Sequence, residues 1–261
     1  MEFVLEKTFT ALAQETPSGR PSVCLTWAQT LDGKLGATPG SPTVISGPES
    51  MQMTHALRAL HDTILVGVGT ACADNPRLTC RMNEDTKDLV DSVFTQFQIP
   101  TPVSYDPVPV ILDSKLRTPL STKFFHNPRR NKQPKPMIFC SEHENSLEST
   151  KPLHAYAEVI PAPQATIPPA LQKGLNLHYV LKELRRKGYN RLMVEGGASV
   201  LSSFVDNQLW DVAVVTVAPT IFRSGVSLGA REGKKQTPPP RFRSTTWTQM
   251  GEDVVMVGYP T

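Results

Sequence analysis

The sequence predicts an α/β fold, a sheet with helices on both faces, and three observations carry that expectation. Short apolar runs of strand length recur at 63–67, 108–112, 137–140, 157–160 and 191–194. Segments with helical spacing stand between them, with Met53, Ala56, Leu57 and Leu60 on one face and Leu177, Val180, Leu181 and Leu184 on another. No internal repeat and no linker divides the chain, so its 261 residues are read as a single domain.

Taken in order, an extended segment at 20–26 opens the sheet, bounded by Gly19 and later by Asp32-Gly33. Ser46-Gly47-Pro48-Glu49 reads as a capping box, with Ser46 as N-cap, Glu49 three residues on and Pro48 inside the first turn. The helix ends at His61-Asp62. The stretch 82–106 is polar and acidic and is expected to be a surface insertion. Thirteen of the 24 prolines lie between Pro100 and Pro169, which implies short strands joined by stiff loops. A second helix runs through Leu184 to the basic Arg185-Arg186-Lys187 and stops at Gly188. Closing strands are expected at 211–218 and 253–259.

Composition excludes several classes. Hydrophobic residues make up 39% and charged residues 20%, ordinary globular usage. A net charge of +3, from 27 basic and 24 acidic residues, is too balanced for a nucleic-acid or membrane-surface protein. The four cysteines contain no CxxC pair, and no targeting signal or long apolar run is evident, so a cytoplasmic protein is expected. The six histidines lack ligand spacing, and no metal is expected; neither the zinc-deaminase signature nor a Walker loop occurs.

The unit that carries most chemistry is the strand at 191–194, then Glu195-Gly196-Gly197-Ala198-Ser199, then an apolar helix face at Val200, Leu201, Phe204 and Val205. Two glycines there let a ligand approach the backbone, and the helix N-terminus suits a pyrophosphate. A tight turn that simply needs glycine is the other reading. A carboxylate such as Glu195 at the end of a buried strand needs a partner, either a fixed one or a ligand, because burying an unpaired charge is costly. Gly67-Val68-Gly69-Thr70-Ala71-Cys72 lacks the third glycine of a dinucleotide fingerprint, and Asn75-Pro76 interrupts the helix that should follow. It can still line a groove through Thr70 and Asp74.

Four segments in order (Thr26 to Lys34, Ile64 to Arg81, Ile111 to Ser114 and Met193 to Ala198) resemble the riboflavin-biosynthesis reductase family, over a core of 21–259. The resemblance implies a dihydrofolate-reductase-like fold: a mixed, mostly parallel sheet with flanking helices and an antiparallel C-terminal strand. It also implies NADPH, a homodimer, and reduction of a ribosylamino pyrimidine phosphate to the ribitylamino form. It places Thr70, Asp74, Ser114, Ile160, Glu195, Gly196, Gly197, Ala198 and Ser199 on the cofactor. Ser199 stands where the family often has Asn. It places Lys34, Ser46, Arg58, Leu78, Arg81 and Glu195 on the substrate, with Lys34 and Glu195 catalytic and Arg58 and Arg81 clamping the 5′-phosphate. Lys115 and Arg117 are candidates for the cofactor 2′-phosphate. Another pteridine or folate reductase of the same fold, or a catalytically silent nucleotide-binding protein, are the alternatives.

Overall fold

The computed structural model describes residues 1–14, 19–130, 133–145, 151–164, 174–229 and 240–261. Parts of the proline-rich stretch (131–132, 146–150 and 165–169) therefore lie outside the described residues. The elements run α1 (Glu2–Leu12), β1 (Ser22–Thr30), β2 (Lys34–Gly36), α2 (Pro48–Ala59), β3 (Thr63–Gly67), α3 (Val68–Asp74), α4 (Glu84–Gln96), β4 (Val108–Leu112) and β5 (Met137–Ser141). Then follow α5 (Glu142–Asn145), α6 (Leu153–Tyr156), β6 (Glu158–Ala162), α7 (Leu177–Arg186), β7 (Arg191–Val194), α8 (Ala198–Asp206), β8 (Val212–Ala218), β9 (Val226–Ser227), β10 (Phe242–Met250) and β11 (Asp253–Pro260).

Among the described residues nine strands form one sheet in the order β10-β11-β8-β1-β7-β3-β4-β5-β6. From β8 to β6 every pairing is parallel. β11 runs antiparallel to both β8 and β10, which is the expected C-terminal antiparallel strand. β2 and β9 make a separate small ribbon.

Alternation along the strands divides the core. Leu25, Leu65, Val110, Phe139 and Val194 point to a face covered by α7 and α8. Cys24, Met193, Val212, Val214, Val255 and Val257 point to the other, covered by α1, α2 and α4. The apolar stripe of α7 is buried as its spacing requires. Its N-cap Asn176 accepts from Tyr179 N at 3.1 Å.

Several expectations are corrected. Ser46 does not cap α2: the N-cap is Gly47, Pro48 is the first helical residue, and no side chain caps the end. Instead Gly47 N donates to the buried Asp253 Oδ2 at 2.8 Å, so a carboxylate from β11 accepts from the N-cap N–H, the part that the acidic residue of a capping box plays. The stretch 82–106 is no loose surface insertion. It holds α4, whose Val90, Val93 and Phe94 are buried, and Phe9 of α1 packs edge-on against Phe94 and Phe97 at 5.9 and 4.9 Å. The glycines at 67–69 do lead straight into a helix. α3 begins at Val68 and ends where Asn75 turns left-handed (φ 42°), one residue before Pro76. Among the described residues no helix is long and apolar enough to cross a membrane.

Two histidines of the α2 layer are buried, His55 at 2% exposure and His61 at 4%. Burial lowers the His61 pKa from 6.5 to about 4, with help from Arg191. Burial, then the charges of Arg58 and Arg81, lower that of His55 from 6.5 to about 3. Both rings are neutral when folded and regain a pKa near 6.5 when unfolded. Below pH 6.5 the unfolded chain thus binds protons that the folded chain refuses, and stability falls as pH falls. Lowering pH from 7 to 5 should cost roughly 4 kcal/mol in urea unfolding, about 2 per ring. His61→Gln should remove about half of that loss.

Candidate active site

The carboxyl ends of β1, β7, β3 and β4 open onto a cleft with two lobes. The larger, of about 1020 Å³, is lined by Thr26, Trp27, Ser46, Arg58, Asp74, Leu78, Glu195 and their neighbours. The smaller, of about 320 Å³, is lined by Gly67, Leu112, Ser114, Arg117, Leu175, Leu177 and others. Gly69, Thr70, Gly197 and Ser199 line both and form the waist between them.

Sheet register places the acid. Leu25 of β1 and Leu65 of β3 both pair with Val194 of β7. Glu195 follows directly, with its N donating to Leu65 O at 3.0 Å. Its carboxylate meets Arg58 of α2 in a two-pronged ion pair, Nε to Oε1 and Nη2 to Oε2, each 2.6 Å. The side chains are only 12% and 16% exposed. Arg58 Nη1 donates to Thr79 O at 3.0 Å. Burial works to lower the Arg58 pKa, but the Glu195 charge and hydrogen bonds outweigh it and hold it above its usual value.

This pairing answers the question of the Glu195 partner, and it alters the expected clamp. The Arg58 fork is committed to Glu195 and Thr79, so it does not stand ready beside Arg81 for a phosphate. Arg81 is exposed, lies outside the residues lining either lobe, and donates to Thr79 Oγ1 at 3.4 Å. Burial, then Arg58 and Arg77, lower its pKa. Arg77 is a neighbouring cation that the sequence reading passed over, with only its place between Pro76 and Leu78 to signal it.

The waist has a packing logic. A Cβ on Gly67 would sit 2.8 Å from Val200 Cγ2, and one on Gly196 would sit 2.7 Å from Val200 Cβ. Both glycines therefore let α8 pack close to the strand ends. Gly197 is different: it is the N-cap of α8, faces Thr70 Oγ1 and lines both lobes. Among the described residues no side chain caps α8, and while Val200 N donates to Gly197 O at 2.9 Å, the N–H groups before it face the cleft end that suits an anion.

The other expected residues divide. Ser46, Thr70, Asp74, Leu78, Ala198 and Ser199 line the larger lobe. Burial raises the Asp74 pKa. Lys34 stands at the rim, where its Nζ donates to Ser227 Oγ at 3.0 Å across the β2–β9 ribbon, and Ser227 lines the lobe. Ser114 and Arg117 line the smaller lobe, with Arg117 Nε 3.6 Å from the fully buried Asp113. Lys115 is exposed and lines neither lobe. Ile160 is only 7% exposed and lies in the core cluster with Leu175 and Leu177, so the cleft meets those leucines instead. Trp27, Thr26 and Thr216 line the cleft without having been singled out; their signal was the end of an apolar strand followed by polar residues.

A cleft outside the carboxyl ends of parallel strands is where open α/β sheets bind their ligands. The chain belongs to the RibD C-terminal domain family, whose model matches residues 21–256. It is 33% identical over 251 residues to the Riboflavin biosynthesis protein RibD of Aquifex aeolicus, covering 96% of this chain and 60% of that protein. It therefore spans less than two thirds of that relative's length. It is 32% identical over 220 residues to a Debaryomyces hansenii protein named 2,5-diamino-6-ribosylamino-4(3H)-pyrimidinone 5′-phosphate reductase, covering 81% of this chain and 80% of that one. The solved structure of the Saccharomyces cerevisiae riboflavin biosynthesis reductase Rib7 shares the fold, with a TM-score of 0.71, 23% identity and 99% of both chains covered.

Removing one partner of a buried ion pair strands the other. Glu195→Gln should lower stability by about 3 kcal/mol in urea unfolding, since the Arg58 charge loses its counter-charge. Gly196→Ala should cost about 1–3 kcal/mol through overpacking against Val200. Gly197→Ala should cost less, because its added methyl faces the open cleft and a single hydroxyl.

Proposed function

We propose that this protein reduces the ribosylamino sugar of a diaminopyrimidinone 5′-phosphate to the ribitylamino chain, using NADPH. The observation that carries the reading is the two-lobed cleft, with the uncapped α8 N-terminus at its waist and the Glu195–Arg58 pair lining its larger lobe. The family membership and the name of the Debaryomyces hansenii relative support it.

The residues present fit the cofactor. Gly197, Ala198 and Ser199 would hold the pyrophosphate on the open N–H groups of α8, with Thr70 beside them. Ser114 and Arg117 would take the adenosine ribose and its 2′-phosphate in the smaller lobe. Bound NADPH supplies the hydride that C1′ of the opened sugar receives.

The chain's own side chains do the rest by positioning and charge. Glu195 faces the nitrogen side of the opened ribosylamine, where its carboxylate favours positive charge on the imine. Arg58 holds that carboxylate in place. Lys34, at the rim, hydrogen-bonds the sugar oxygen released on ring opening and supplies its proton. Arg81 and Arg77, two neighbouring exposed cations, draw in the 5′-phosphate. Trp27 and Leu78 exclude water from the larger lobe. A homodimer in the cytoplasm belongs to the same reading, and sedimentation checks the oligomer.

The test is NADPH oxidation, followed by absorbance, with the ribosylamino pyrimidine phosphate as substrate. Turnover supports the reading; turnover on dihydrofolate or a pteridine alone, or no turnover at all, overturns it. Arg117→Ala should reduce the preference for NADPH over NADH by about tenfold, the effect of losing roughly 1.4 kcal/mol of contact. Lys115→Ala should leave that preference unchanged.

A further inference from the structure

Arg58 has a second neighbour that the mechanism has not used. His55 lies one turn earlier on α2 and is 2% exposed. Its Nδ1 is 3.4 Å from Arg58 Nη1. Thr79, whose carbonyl accepts from Arg58 Nη1 at 3.0 Å, also lies close to the ring. Thr79 follows Leu78, which is buried with φ at 52°, a conformation that a bulky residue keeps only when its surroundings hold it there. The lowered His55 pKa agrees with a neutral ring wedged beside a cation. For packing alone a leucine would fill this space with no polar atoms to satisfy.

We infer that His55 is a positioning residue: together with the Thr79 carbonyl it pins Arg58 Nη1, so that Nε and Nη2 meet Glu195 and hold its carboxylate in one orientation in the cleft. The consequence for turnover rests on the reading of Glu195 as the group facing the opened sugar. The pinning of Arg58 does not.

Two variants separate positioning from packing. His55→Leu fills the space and removes both hydrogen-bonding positions, whereas His55→Gln keeps a donor and an acceptor. The first readout is independent of turnover: solvent exchange of the Arg58 Nε–H proton by NMR of ¹⁵N-labelled protein. Exchange should be slow in the parent and in His55→Gln, and about tenfold faster in His55→Leu. The second is NADPH oxidation with the ribosylamino pyrimidine phosphate. There His55→Leu should lose about tenfold in kcat with little change in KM, as a displaced catalytic group does. His55→Gln should stay within about threefold of the parent, with a melting temperature matching that of His55→Leu.

Equal exchange in His55→Leu and the parent overturns the inference. Equal losses of kcat in the two variants also overturn it, since that is what a merely structural histidine gives. If the parent is inactive on this substrate but the exchange rates order as stated, the reading of Glu195 falls and the pinning of Arg58 stands.

Discussion

The ion pair between Arg58 and Glu195 organises the working end of this molecule. Glu195 is placed by sheet register, at the end of β7 between β1 and β3, and Arg58 by a helix on the face of the sheet. Neither charge is tolerable there alone, because the groups are largely removed from water. The pair therefore ties α2, the Leu78–Thr79 connector and the end of β7 into one unit. It also makes that part of the cleft wall electrically neutral overall while leaving a fixed carboxylate at a defined place. The positive charge nearest the cleft then comes from Arg77 and Arg81, farther out, and from the N-terminal end of α8.

The turn after β7 combines two demands that are separable residue by residue. Gly196, with Gly67 across from it, is required by Val200, whose side chain occupies the space that a Cβ would take. Gly197 instead faces the cleft and begins α8. Packing and ligand access were alternative readings of one Gly-Gly step; packing holds for Gly196, while Gly197 lines the cleft. The close seating of α8 that Gly196 permits is what brings Gly197 and Ser199 to the waist between the two lobes.

The outer elements were harder to read. In α4 the charges of Glu84, Asp85, Lys87, Asp88 and Asp91 mask the apolar Val90, Val93 and Phe94, and the helix is buried against both α1, whose Phe9 meets it, and α2. β10 alternates with polar residues because it is an edge strand exposed along much of its length. α2 begins one residue later than its capping signal suggests, since Asp253, more than two hundred residues away, satisfies the Gly47 N–H. In each case the deciding partner is distant in sequence.

The strand runs, the α7 stripe and the α/β class were legible in the sequence because burial imposes a local period on apolar residues, whereas the mostly parallel sheet and most of the cleft residues were expected only from the family resemblance, whose motifs fall at strand ends along one edge of the sheet. Tertiary structure alone decided how charged groups pair. Sequence listed Arg58 with Arg81 as one clamp and left Glu195 without a partner; folding joined Arg58 to Glu195 and set Arg81 apart at the surface. Lys115 and Ile160 were likewise expected on the cofactor from the resemblance, yet one is exposed away from both lobes and the other is buried in the core, outside the cleft lining. Periodicity records which residues leave water, but a long side chain takes its partner from whatever the packed sheet and helices bring within reach, and that is a property of three dimensions.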